Sequence, residues 1–268
     1  MESQKMRQLE YHKNVAYSGL APREPDSSNP LVAWLNTYRL RKTLEIIGTS
    51  LSGKTVLSVC GGDGQEADCL SHRGADVTVT DLCEAALKSA RIRNAALHCC
   101  CMDAESLAFP DGAFDWVIVR EGLHHLSRPV KGIYELERVS REGFAIMEGQ
   151  DSFMVRLLVT LGLGDDWDPA GGYVYRFGRR EIGKIFSCVQ TIEKWKIHTA
   201  WLPYGSDVLT YFPAFKRFVY PLINHPFTLR LLTSKPGKRT LIFLFNVFNA
   251  LIGRWGNCLI VAAWKRPG

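Results

Sequence analysis

The residues whose types and spacing could do chemistry fall between positions 58 and 148. A β-branched run ends in Cys60-Gly61-Gly62-Asp63-Gly64, where glycines let the chain turn tightly and let backbone approach a ligand that a Cβ would exclude. Residues 62–67 also satisfy the G-x-G-x-x-G/A pattern of dinucleotide-binding turns, so a nicotinamide cofactor is one reading. Asp81, 19 residues past Gly62, has the chemistry to accept from both hydroxyls of a ribose. Asp103 and Arg120 follow at the ends of later apolar runs. Glu121, His124, His125 and Glu148 could take a proton from an oxygen or nitrogen nucleophile, His124 being the leading candidate. Asp81 and Asp103 could instead cap a helix and hold a turn, roles in which Asp is favoured.

Elements that would position these groups can be read from periodicity. A helix is expected over 30–47 and strands over 55–59, 76–80, 96–102, 114–119 and 143–148. Helices over 65–73, 83–94 and 129–141 lie between them. Such alternation predicts an α/β fold with a mostly parallel sheet covered on both faces. Ligands then bind beyond the carboxyl ends of the strands, where the glycine cluster, Asp81, Asp103 and Arg120 all fall. Further elements are an apolar helix near 153–163, a helix over 179–186, a strand near 192–199, a helix near 240–252 and a closing strand near 258–264. The strands total seven.

Composition narrows the classes. The 268 residues suffice for one large core with a modest appendage. The polar N-terminal stretch lacks the apolar run of a secretory signal, and the eight cysteines show no paired CxxC spacing. Reduced thiols and a cytoplasmic setting are therefore expected. No metal is expected: His98, Cys99, Cys100 and Cys101 would alternate between faces of a strand, and the cysteines read as buried small hydrophobes. Nine Lys or Arg follow Asp207 and no Asp or Glu does. That basic quarter, rich in Phe, could meet an anionic lipid surface, although a solvated basic face over an apolar cap is the simpler reading. Residues 241–252 are too short an apolar run to span a bilayer. With no recognisable RNA-binding module, nucleic acid is not expected as a partner.

Met102-Asp103-Ala104, the turn Pro110-Asp111-Gly112, the strand 114–119 and Leu123-His124-His125-Leu126, taken with the glycine loop and Asp81, resemble the class I S-adenosylmethionine (SAM)-dependent methyltransferases, in particular their small-molecule group related to quinone methyltransferases. The resemblance covers residues 50–150 and extends more faintly to 175–186. It implies a seven-stranded Rossmann-like sheet with SAM as cofactor. Cys60, Gly61, Gly62 and Gly64 would line its methionine and ribose portions, Asp81 and Leu82 the ribose, Asp103 and Ala104 the adenine, and Arg120 would sit under the donor. Ser58 stands where that group usually has an acid, and Cys60 where it usually has a glycine. A small, apolar or aromatic acceptor would lie among Tyr11, Tyr17, Glu148, Tyr173, Tyr175 and Tyr204. Implied divisions are an N-terminal lid (1–30), the SAM-binding core (31–201), a substrate-cap insertion (202–238) and a C-terminal helix and strand (239–268). The alternatives are an NAD-dependent oxidoreductase and a SAM-binding protein without turnover.

Overall fold

The structure is a computed structural model and describes residues 3–16, 30–48, 50–162, 166–168, 172–202 and 225–266. Strands β1 (Thr55–Val59), β2 (Asp76–Asp81), β3 (His98–Cys101), β4 (Phe114–Arg120) and β5 (Ser140–Gly149) run parallel, as the βαβ alternation requires. The short hairpin β6 (Trp167–Asp168) and β7 (Gly172–Tyr173) stands apart. Strands β8 (Ile192–Ala200) and β9 (Cys258–Lys265) complete a seven-stranded sheet of order β3-β2-β1-β4-β5-β9-β8, in which β9 is antiparallel to both neighbours. The antiparallel β9 departs from the 3-2-1-4-5-6 order of the dinucleotide-binding Rossmann sheet.

Near-continuous apolar runs make the central strands two-faced. On β4, Val117 and Val119 face one core cluster with Ile133 and Leu136 of α5 (Pro129–Val139) and Ile182 and Phe186 of α7 (Arg179–Cys188). The intervening Trp116 and Ile118 face another, with Ala67 and Leu70 of α3 (Gln65–Ser71) and Leu87 of α4 (Glu84–Arg93). Each such fully buried side chain contributes roughly 1.5–3 kcal/mol. A third cluster joins Tyr38 of α2 (Pro30–Ile47) to Met147 and Ile260.

Three expectations change. The N-terminal segment holds a helix, α1 (Ser3–Tyr11), continued by a wider π turn over His12–Ala16. In the region taken as an irregular insertion, 203–224 lie outside the described residues, but α8 (Pro226–Thr233) and α9 (Lys235–Ile252) are regular. Pro226 and Pro236 occupy the first turns, where proline's missing N–H costs nothing, so they start helices instead of breaking them. Cys101 is exposed and Cys99 and Cys100 half-buried, because β3 is the sheet edge. The apolar helix near 153 is α6 (Phe153–Thr160), begun by Ser152, whose hydroxyl accepts from the Val155 N–H.

Helix α9 is fastened to the sheet through Asn249. Its Oδ1 accepts from the Trp201 N–H at 2.6 Å and its Nδ2 donates to the Trp201 carbonyl at 3.1 Å. Asn249→Ala strands both backbone groups, and a loss of roughly 1–3 kcal/mol of unfolding free energy is expected in urea titrations.

Candidate donor-binding site

Beyond the carboxyl ends of β1, β2 and β4 lies a cavity of about 370 Å3. Its floor is the turn after β1. Gly61 donates to the Thr80 carbonyl at 2.9 Å, and a Cβ there would come within 2.6 Å of both Ser58 Oγ and Val79. Gly64 sits at φ 77° where α3 begins, a conformation that favours glycine. Asp81 holds the turn in place: one oxygen accepts from the Gly62 N–H at 3.0 Å and the other from the Cys83 N–H at 2.8 Å. Burial pushes its carboxyl above the usual range against the pull of those donors. Capping and ligand binding are thus compatible here, since each oxygen keeps a second lone pair.

Cys60 and Glu121 are the two described residues other than glycine with positive φ, at 52° and 55°, and both line the cavity. Backbone held there is strained, as happens where a fold over-determines a site. Burial first, and then the carboxylates around it, pushes the Cys60 thiol well above its ordinary pKa, so it is no nucleophile.

Beneath the turn, Ser58 Oγ donates to Glu66 Oε1 at 3.0 Å while Arg120 Nε donates to Glu66 Oε2 at 2.7 Å. The acid absent from β1 is therefore supplied in space by the first turn of α3. Burial raises the Glu66 carboxyl, although Arg120 opposes the shift. Burial also works against the Arg120 cation, but Glu66 and Glu121 hold it above its ordinary value. Arg39 of α2 closes the array by pairing with Glu121.

The far wall carries Asp103. Its Oδ1 accepts from the Glu105 N–H at 2.9 Å and its Oδ2 takes a 2.6 Å bond from Lys5 Nζ of α1. Burial acts to raise the Asp103 carboxyl, but Lys5 holds it below the usual range. Lys5 also reaches Glu105 at 3.1 Å, and Glu105 is gripped by Arg128 at 2.7 Å. Gln8 and His12 join Lys5 in covering the cavity, and Gln8 Nε2 is buried without a hydrogen-bond partner.

His124 Nδ1–H donates to Glu148 Oε2 at 2.7 Å, and Glu148 Oε1 accepts from the Leu123 N–H at 2.7 Å. Burial would lower the His124 pKa, but the charge of Glu148 holds it raised. His125, with its ring 4.1 Å from that of His124, reaches the cavity instead. Burial, then the charges of His124 and His12, depress its pKa well below the ordinary value. Among the described residues, His124, His125 and Asp168 bring potential metal-ligand atoms within 4.8 Å of one another. The expectation of no metal rested on residues 98–101 and did not weigh this trio.

Of the expected site residues, Cys60, Gly61, Gly62, Asp81, Leu82, Asp103, Ala104 and Arg120 line one cavity. Gly64, His124 and Glu148 stand behind its lining, supporting the turn and His125. Tyr11 packs edge-on against His12 and is not in the lining. Tyr173 is 58% exposed on the small hairpin. Tyr175 donates to Glu181 at the start of α7, which pushes its hydroxyl up to about 12. Tyr17 and Tyr204 lie outside the described residues. Sequence reasoning missed Glu66, Arg39 and the α1 residues Lys5, Gln8 and His12. An acid in the first turn after the glycine loop was the available signal for Glu66.

The strand order, the turn and the two carboxylates form the arrangement that the resemblance to class I SAM-dependent methyltransferases implies. Residues 57–147 match a family model described as a methyltransferase domain. The chain is 28% identical over 127 residues to a demethylmenaquinone methyltransferase of Renibacterium salmoninarum, covering 47% of this chain and 53% of that one. It is 34% identical over 120 residues to a ubiquinone biosynthesis O-methyltransferase of Bordetella avium, covering 42% and 49%. The matched region thus spans about half the length of these curated relatives. Magnesium protoporphyrin IX methyltransferase from Synechocystis, solved with bound SAH, shares the fold with a TM-score of 0.61 at 14% identity, covering 98% of this chain and all of that one.

Because the His124 pKa is raised in the fold, its ion pair with Glu148 contributes stability below the ordinary histidine pKa of 6.5, and that contribution fades as pH rises through the elevated value. Urea midpoints measured across this window should fall with pH for the parent chain, and His124→Gln should flatten that component.

Proposed function

We propose that this chain binds SAM in the cavity after β1, β2 and β4 and transfers its methyl group to an oxygen, nitrogen or carbon of a small aromatic metabolite. The observation that carries this reading is the gathering of the Gly61–Gly62 turn, Asp81 and Asp103 on one rim. Asp81 would accept from the ribose hydroxyls and Asp103 from the adenine amine, while Arg120 and Glu66 form a fixed, neutralised floor. The curated relatives act, by their names, on demethylmenaquinone and in ubiquinone biosynthesis, which favours an aromatic, quinol-like acceptor.

SAM brings an activated methyl group, so the protein's work is alignment and exclusion of water. The α1 residues over the cavity supply the cover. An acceptor hydroxyl must also lose a proton. His125 faces the cavity with its pKa depressed by burial, while His124, paired with Glu148, stands behind the lining and orients the neighbouring ring.

Calorimetric titration with SAM, its demethylated product and NADH tests the donor. Binding of the first two is expected; binding of NADH alone would overturn the reading. Asp81→Ala and Asp103→Ala should each weaken SAM binding by roughly 1–3 kcal/mol, the scale for stranding a buried polar partner. Lys5→Ala should instead leave affinity unchanged or raise it, because Lys5 competes for the oxygen that the adenine amine would use. A loss on Lys5→Ala would make Lys5 a ligand and not a competitor.

A further inference from the structure

Helix α9 is apolar on two sides. Ile242 and Phe245 face inward onto the cluster around Tyr38 and Met147, and Asn249 ties that side to Trp201. The opposite side carries Phe243, Leu244, Val247, Phe248 and Leu251, whose spacing puts them on one face of the helix. All five are exposed, Phe243 at 65% and Leu251 at 75%. Ordinary surface helices show a single apolar stripe, turned to the core, and among the described residues this second stripe is left exposed.

The stripe continues into its neighbours. Helix α8 packs against α9 and presents Phe227 at 72% exposure together with Leu231. The turn Gly253–Trp255 links the end of α9 to α6, where Trp255, Phe153, Leu157 and Leu161 are exposed as well. Scattered apolar residues are normal on a protein surface, but a contiguous patch this rich in Phe and Leu marks an interaction site.

Charge identifies the partner. Across α6, α8, α9 and the turn 253–255 there is no Asp or Glu, whereas Arg156, Arg230, Lys235, Lys238, Arg239 and Arg254 all belong to these elements. The positive groups extend beside the patch into a cleft where Arg179, Arg180 and Lys184 of α7 join Arg156 and Arg254. Asp151 and Glu181 are the acids there, and Asp151 pairs with Arg156. A second copy of this chain would oppose like charge to like charge. An apolar face rimmed mostly with cations instead matches the interface of an anionic bilayer, with acyl chains against the Phe and Leu side chains and headgroup phosphates against the rim. No described helix is long and apolar enough to cross a membrane, so the contact is peripheral.

We propose that the α6–α8–α9 surface docks this protein onto an anionic lipid bilayer, with α9 lying in the plane of the interface. The inference stands on surface chemistry and does not depend on methyl transfer. It places the donor cavity one helix from the lipid, since α8 packs on α2 and α2 supplies Arg39 to the cavity.

The test is co-sedimentation of the full chain with phosphatidylcholine vesicles, with and without phosphatidylglycerol. Binding is expected with the anionic lipid and should weaken as salt rises. The double variant Phe243→Asp, Leu251→Asp and the separate double variant Lys235→Gln, Arg239→Gln should each lower vesicle affinity by roughly tenfold or more. Unchanged circular dichroism and urea midpoints in both would show that the fold is intact, as substitution of exposed residues should leave it. Absence of binding to either vesicle by the folded parent chain overturns the proposal. So does equal binding by all three proteins. Light scattering that shows a dimer of the parent chain, dissolved by Phe243→Asp, without vesicle binding would reassign the face to self-association and overturn it equally.

Discussion

The site depends on one buried ion pair, Arg120 with Glu66, shared with the hydroxyl of Ser58. Arg120 ends β4 and Glu66 opens α3, so the pair locks the fourth strand to the helix that follows the glycine turn. Removing one partner from such a pair leaves an uncompensated charge in a low-dielectric setting, typically at a cost of about 3–5 kcal/mol. The pair also fixes electrostatics beneath the cavity. A lone arginine there would repel the donor's sulfonium, whereas the Arg120–Glu66–Glu121–Arg39 chain presents a balanced floor. Ser58, on β1, is the hydrogen-bond donor to the Glu66 carboxylate on the helix.

Much of this was legible in the sequence. The alternation of β-branched runs with helical periods located the seven strands, and Asp81 and Asp103 were readable because parallel sheets put their binding edge at the carboxyl ends of the strands. Long-range pairings were not readable. Arg120 and Glu66 are 54 residues apart, and no periodicity announces that they touch. Helix α1 was hidden for another reason: its polar face does its work at the cavity, so it lacks the apolar stripe by which helices are recognised. The prolines of the C-terminal region misled because proline both breaks and begins helices; Ser234 marks the start at Pro236 by capping it, whereas no side chain caps the start at Pro226. The tyrosines expected in a substrate pocket were chosen for lying in segments that cap the site in related folds, and of these Tyr175 bonds Glu181 of α7.

The histidine pair divides its labour. Glu148 fixes the ring of His124 and keeps it basic, while His125 takes the cavity position with its Nδ1 buried and unpartnered. An unsatisfied buried polar atom costs free energy and is retained where something else compensates it. Here the Asp168 carboxylate stands 4.0 Å from that Nδ1.

Lys5 rests on Asp103, the carboxylate proposed for the adenine amine. On that proposal an arriving nucleoside competes with a tethered cation whose local concentration never falls. Observed affinity then equals intrinsic affinity multiplied by the fraction of time the tether is off. Any modification or partner that lifted the first helix would tune saturation at a given nucleoside supply without touching a single residue of the sheet.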